Sequence, residues 1–245
     1  MLSSIKTSRK FAGIGYAALG ALILALPAQA NLVTNGSFEL SSAGAGQMDT
    51  NTIVTGWSTT GVGTNGYNFL FDPATATTTG SPGEFGNVAL WGPIIASPDG
   101  GNFVGGDGDV QVFPLSQTVN GLIVGNTYTL GFWWGGAQQA GFDGASTDQW
   151  QVSFGSQSQS TAVIANAEHG FTGWQRQTFD FIANNTSEVL SFLAISTPSG
   201  VPPFALLDGV TLDPAGAAVP EPGILALLGL GLIGVPVVRK LRKKH

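Results

Sequence analysis

The chain has 245 residues, 43% hydrophobic and 10% charged, with no cysteine and a formal net charge of −6. The absence of thiols excludes disulfides, Cys-ligated zinc, iron–sulfur clusters and Cys nucleophiles, so a domain of this size has to hold itself by packing. Charge is segregated: from Asn31 to Ala218 the one base is Arg176, against 14 Asp and Glu, a net of −13. That surface repels nucleic acid and anionic lipid. It suits divalent cations and neutral glycans, and also solubility.

Lys6, Arg9 and Lys10 precede an apolar run, Phe11 to Leu26, and an Ala-x-Ala site in Pro27-Ala28-Gln29-Ala30. This is the pattern of a secretory signal peptide over residues 1–30, with Asn31 the first mature residue. An uncleaved N-terminal membrane helix is the alternative.

From Asn31 to Pro214 several segments alternate with a period of two and none has a helical period. Tyr128, Leu130, Phe132 and Trp134 share a face, as do Trp150, Val152 and Phe154. So do Phe179 with Phe181, Leu190 with Phe192 and Ala194, and Phe204 with Leu206 and Val210. Turn signals punctuate the runs: Asn35-Gly36, Asn65-Gly66, Asn120-Gly121, Gly125-Asn126 and Asn184-Asn185. The expected fold is all-β, an antiparallel β-sandwich of the jelly-roll kind over residues 31–214, followed by a linker at 215–218.

Asp208 shares its register with Leu206 and Val210, the face expected in the core. A buried carboxylate there must be hydrogen-bonded, neutral or bound to a metal. Glu39 ends the first expected strand. Gly105-Gly106-Asp107-Gly108-Asp109 reads as an acidic turn, and Asp143 and Asp148 as flanks of a solvated loop. Trp91, Trp133 and Tyr67 are candidates to stack on sugar rings, while Trp57, Trp134, Trp150 and Trp174 lie in core-like registers. Catalysis has little support. The exported part has one histidine, His169, and neither a Gly-x-Ser-x-Gly elbow nor a His-Glu-x-x-His motif. Only glycoside hydrolysis by a carboxylate pair stays open.

Val219-Pro220-Glu221-Pro222-Gly223 leads into the apolar run Ile224 to Val238, then a basic cluster: Arg239, Lys240, Arg242, Lys243 and Lys244. The two prolines keep the motif extended. Fifteen apolar residues make a marginal span against the ~20 a bilayer usually needs. The basic end favours the cytoplasmic side. Residues 219–245 resemble the PEP-CTERM sorting signal of bacterial envelope proteins. The resemblance implies a transient membrane helix at 224–238, recognition of Val219 to Pro222 by an exosortase, and removal of the tail. The expected route is export, an inner-membrane intermediate, then the cell envelope, surface or extracellular matrix. An unprocessed anchor is the alternative.

A second resemblance covers most of 31–213. Leu32 to Glu39 resembles the opening of galactose-binding-like jelly rolls, which include many carbohydrate-binding modules. Gly56-Trp57, Ser116 to Val119, Gly125 to Phe132, Gly173-Trp174 and Leu207-Asp208-Gly209-Val210 follow in order, and residues 40–97 match least. Pro98 to Val104 is similar to a segment of exported PEP-CTERM proteins. The resemblance implies a structural calcium ion shared by Glu39 and Asp208 with backbone carbonyls, and an extracellular polysaccharide as ligand. Two capping carboxylates without metal are the alternative. The expected function is that of an exported, non-enzymatic envelope or matrix protein with carbohydrate-binding capacity. A purely structural calcium-stabilised surface protein and a polysaccharide-active enzyme using paired carboxylates are the other readings.

Overall fold

The computed structural model describes residues 31–59 and 64–216. The signal peptide 1–30, the sorting motif Val219 to Pro222, the hydrophobic segment 224–238 and the basic cluster Arg239 to Lys244 lie outside the described residues. Among the described residues there is no helix long and apolar enough to cross a membrane.

The described residues form strands only, in two antiparallel sheets. One sheet holds β1 (Gly46–Gln47), β2 (Asn68–Phe71), β3 (Phe103–Asp107), β11 (Pro203–Pro214), β5 (Thr127–Gln138) and β9 (Gln175–Ile182), in that spatial order. The other holds β4 (Leu115–Asn120), β10 (Ser187–Thr197), β6 (Ser146–Phe154) and β7 (Gln157–Ser160), with β8 (Ile164–Asn166) also on β6. From β3 onward the chain crosses between the sheets at each connection except those joining β6, β7 and β8, which stay in one sheet, the connectivity of a jelly roll.

The alternating strands behave as their period dictates. Tyr128, Leu130, Phe132 and Trp134 of β5 meet Trp150, Val152 and Phe154 of β6 and Leu190, Phe192 and Ala194 of β10 between the sheets. Phe192 stands edge-on to Phe132 at 5.2 Å and to Trp150 at 6.0 Å. Trp150 is wholly enclosed, and its indole N–H donates to the Leu206 carbonyl at 3.0 Å. Trp150→Ala should therefore cost about 3–5 kcal/mol, read as a lower denaturant midpoint with an unchanged slope. A loss under 1 kcal/mol would mean that the core closes around the gap.

The outer face of the six-stranded sheet meets solvent at β9 but is covered over β2, β3 and the first half of β11. The connection between β2 and β3 folds over it, and Ala76, Val88, Leu90 and Ile94 pack on Phe69, Phe71, Phe103, Phe204 and Leu206. Strands β2 and β3 are thus buried on both faces, so they lack the alternation of a half-exposed strand.

Four expectations need correction. Leu32 to Glu39 is a run of turns, not a strand. It lies along β11 through Leu32 N–H to Leu212 O and Val210 N–H to Gly36 O. Gly36 has to be glycine, because a Cβ would strike the Val210 carbonyl. Second, Gly105 to Asp107 is strand, not an acidic turn. Third, Trp174 is half-buried at the edge of the outer cluster rather than in the core. Fourth, Phe204, Leu206 and Val210 do not share a face. A one-residue bulge between Asp208 and Thr211, with Gly209 at φ 58°, reverses the alternation. Phe204 and Leu206 point to the outer cluster, whereas Val210 and Leu212 point between the sheets.

Candidate functional site

Three groups of polar side chains stand out, all built on or around the covered face and one end of the sandwich. The first surrounds Asp208, the last β11 residue before the bulge. Its side chain is 0% exposed, as its register implied, but on the outer face rather than between the sheets. Ser97 Oγ and the Gly209 N–H donate to it. Burial nevertheless pushes its carboxyl up to about 7, and the negative charges of Asp99 and Glu39 push in the same direction. Glu39, itself exposed, accepts from the Asn102 N–H at 2.6 Å. Gly101 lies so close that a Cβ would overlap the Glu39 carboxylate. Glu39 and Asp208 thus lie within electrostatic range of each other, with Asp99 as a third acid that sequence reasoning missed, but the three do not bring one carboxylate oxygen each within 4.8 Å of the other two. The missed signal was local: Asp99 belongs to the same Pro98 to Val104 segment. The cation nearest the group is Arg176, which donates to the Gly209 carbonyl at 3.4 Å and is coupled to Asp99. The donors are all oxygen, the chemistry of a hard cation. Each carboxylate is also partly satisfied by local N–H or O–H groups.

The second group lines a cleft of about 270 Å³. Tyr67, Phe85 and Phe142 supply rings, and Asn87, Asp107 and Gln139 supply polar groups. Tyr67 is not the exposed platform expected: it is only 5% exposed and packs on Phe69 at 4.6 Å. The accessible rings are Phe85 (70%) and Phe142 (39%), neither singled out by sequence pattern because both lie in loops. Asp107 Oδ1 accepts from the Asp109 and Val110 N–H groups, whereas its buried Oδ2 has no partner. Burial raises its carboxyl to about 6, opposed by those two N–H bonds and aided by the charge of Asp109. Burial also raises the Tyr67 phenol, with Asp107 and Glu84 adding to it, so it stays a neutral hydroxyl. Apolar rings flanking a few unpaired polar atoms are what a small polar ligand requires.

The other two aromatic candidates are engaged. Trp133 carries the Arg176 guanidinium at 5.7 Å from its ring. Trp91 donates to the Phe142 carbonyl at 2.9 Å and lies 4.0 Å from the His169 ring. The third group is His169 itself, whose Nε2 is 2.7 Å from Asp143 Oδ1, with Glu168 alongside. Asp148, expected at a solvated loop, is instead enclosed between the sheets. Ser196 donates to its Oδ1, its Oδ2 has no partner, and burial lifts its carboxyl to about 7, with Asp107 adding to the shift.

Fold and surface together define an acidic all-β jelly-roll domain with engaged rather than free reactive groups. Beyond it, residues 218–243 match the family model for the PEP-CTERM protein-sorting motif. The chain carries this motif, which marks an exported protein of the cell envelope or surface. No curated protein matches the chain. Solved structures with similarity include TmCBM61 in complex with beta-1,4-galactotriose, at 16% identity and TM-score 0.40, covering 76% of this chain and 99% of that one. A family 16 carbohydrate-binding module is 16% identical with TM-score 0.35, covering 74% and 99%. The K1 cleaved adhesin domain of Lys-gingipain from Porphyromonas gingivalis W83 is 15% identical with TM-score 0.41, covering 72% and 98%.

Proposed function

We propose that this protein is an exported envelope or matrix component that binds extracellular polysaccharide through the Tyr67–Phe85–Phe142 cleft. The observation that carries the reading is the pairing of two accessible rings with the Asn87 and Gln139 amides in one cleft. A sugar offers C–H faces to the rings and hydroxyls to the two amides. Export by the signal peptide, retention by the 224–238 segment and cleavage by an exosortase at Val219 to Pro222 would deliver the domain to its surface. Glu39, Asp99 and Asp208 would hold a structural calcium ion that ties the Ser97 to Asn102 loop and the Leu32 to Glu39 segment onto β11. The role is binding rather than turnover on this reading, with the one described histidine held against Trp91 and Asp143.

Binding to a panel of neutral polysaccharides tests this. Phe85→Ala and Phe142→Ala should each weaken binding at least ~10-fold, by removing roughly 1–3 kcal/mol of apolar contact. Trp133→Ala should leave it unchanged. Loss on Trp133→Ala with retention in the phenylalanine variants would move the site to the Arg176 side. Release of new reducing ends would replace binding with hydrolysis.

A further inference from the structure

The Asp143–Glu168–His169 group is not used by the glycan reading, and its construction differs from that of a solvated acidic patch. One donor atom from each residue lies within 4.8 Å of the other two. Among the described residues this is the group of three acids or histidines that comes so close. The donors come from two separate connections. Asp143 lies between β5 and β6. Glu168 and His169 lie in the turn after β8, which is closed by Gly170 N–H to Ala167 O and by Asn166 Nδ2–H to Gly170 O.

Both connections are held by one buried side chain. Gln138 is 0% exposed, and its Oε1 accepts the His169 N–H at 2.9 Å. Its Nε2 donates to the carbonyls of Gly144 and Val201. Trp91 braces the same place from the other side: its N–H holds the Phe142 carbonyl and its ring covers the imidazole. Buried groups therefore fix the backbone beside two of the ligands and the plane of the imidazole, while the Asp143 and Glu168 side chains stay free to turn. Two carboxylates meet here with no Lys or Arg, for the one strong base from Asn31 to Ala218 is Arg176, engaged over Trp133.

We infer that Asp143, Glu168 and His169 form a binding site for a divalent transition-metal ion of the zinc type. The imidazole nitrogen sets the class, because calcium and magnesium take oxygen donors and zinc accepts nitrogen with carboxylate. Metal bonds of ~2.0–2.2 Å put ligand atoms roughly 3.3–3.6 Å apart in a tetrahedron. Rotation of the exposed Asp143 and Glu168 side chains covers that difference without moving the backbone. Three protein ligands leave a coordination position for water. Gln138 is a positioning residue, fixing the backbone of one ligand and the loop of another. The site is distinct from the Glu39–Asp99–Asp208 group in residues and in donor type, and does not depend on the glycan reading.

Titration of the purified protein with Zn²⁺ alone tests this, by calorimetry and by tryptophan fluorescence, since Trp91 lies against the ligand. Saturable one-to-one binding is expected, undisturbed by excess Ca²⁺ and accompanied by a change in tryptophan emission. His169→Ala and Asp143→Asn should each weaken it at least ~10-fold, and both alter accessible side chains, so the fold should survive. Asp208→Asn should bind as the parent does. No saturable binding up to millimolar Zn²⁺ would overturn the inference. So would binding that is indifferent to His169→Ala, or that Asp208→Asn abolishes.

Discussion

Between about pH 4 and pH 8 the folded protein should lose roughly 2–4 kcal/mol of stability as the pH rises. The causes are Asp148, Asp208 and Asp107. Their carboxyls are raised from the ordinary 3.8, to about 7, about 7 and about 6, first of all by burial. Below the unfolded value both states hold the proton and the groups contribute nothing to the pH dependence. Above it the unfolded chain releases the proton while the folded one keeps it, so stability falls until the folded values are passed. The direction is the reverse of that for a salt-bridged Asp, whose stabilisation disappears in acid. Mutual repulsion among the 14 acids acts in the same direction.

For a domain of this size ~1 kcal/mol shifts Tm by about 2–4 °C, so the fall should be on the order of 5–15 °C. Asp148→Asn removes the ionisation and keeps an oxygen for the Ser196 hydroxyl. It should flatten the profile and raise Tm at pH 8 while changing little at pH 4. A parent protein that is more stable at pH 8 than at pH 4 would show that these three carboxyls do not dominate.

Calcium should raise Tm by about 5–10 °C when present at ~100 times its dissociation constant, a stabilisation of about 2.7 kcal/mol. The gain arises because three acids face one cation, Arg176, which is coupled to Asp99, and the ion supplies further positive charge. Chelator should reverse it. Asp208→Asn should abolish it, Glu39→Gln should reduce it, and His169→Ala should leave it intact. If calcium leaves Tm unchanged, the three acids are a hydrogen-bonded brace instead. Ser97, Gly209 and Asn102 are already in place as its donors.

β6 and β10 were legible because each has one face in the core and the other toward solvent, which imposes a period of two residue by residue. β5 follows that rule only from Thr127 to Leu130, and its last five residues are all buried. Residues 40–97 were opaque for a physical reason. Phe69, Phe71 and Phe103 are covered by the β2–β3 connection, so both faces of those strands are apolar and the period vanishes. β11 misled because alternation was taken as unbroken through Asp208-Gly209, where the bulge inserts a residue. The burial of Asp208 was read correctly, the face it lies on was not, and Asp99 was not foreseen. Phe85 and Phe142 were missed because loop aromatics have no periodicity that betrays their exposure.

The sequence by itself determined the sorting address, the β-sandwich class, the acidity of the exported part and its lack of thiols. All of these are properties of composition, of short motifs or of local alternation. Tertiary structure alone decided which carboxyls meet and which rings reach solvent. It set Glu39 within electrostatic range of Asp208, joined Asp143 to His169, placed Phe85 and Phe142 on one cleft across long stretches of chain, and enclosed Asp148. Such proximity is set by how two sheets and a covering loop pack, and no local pattern of residues encodes it.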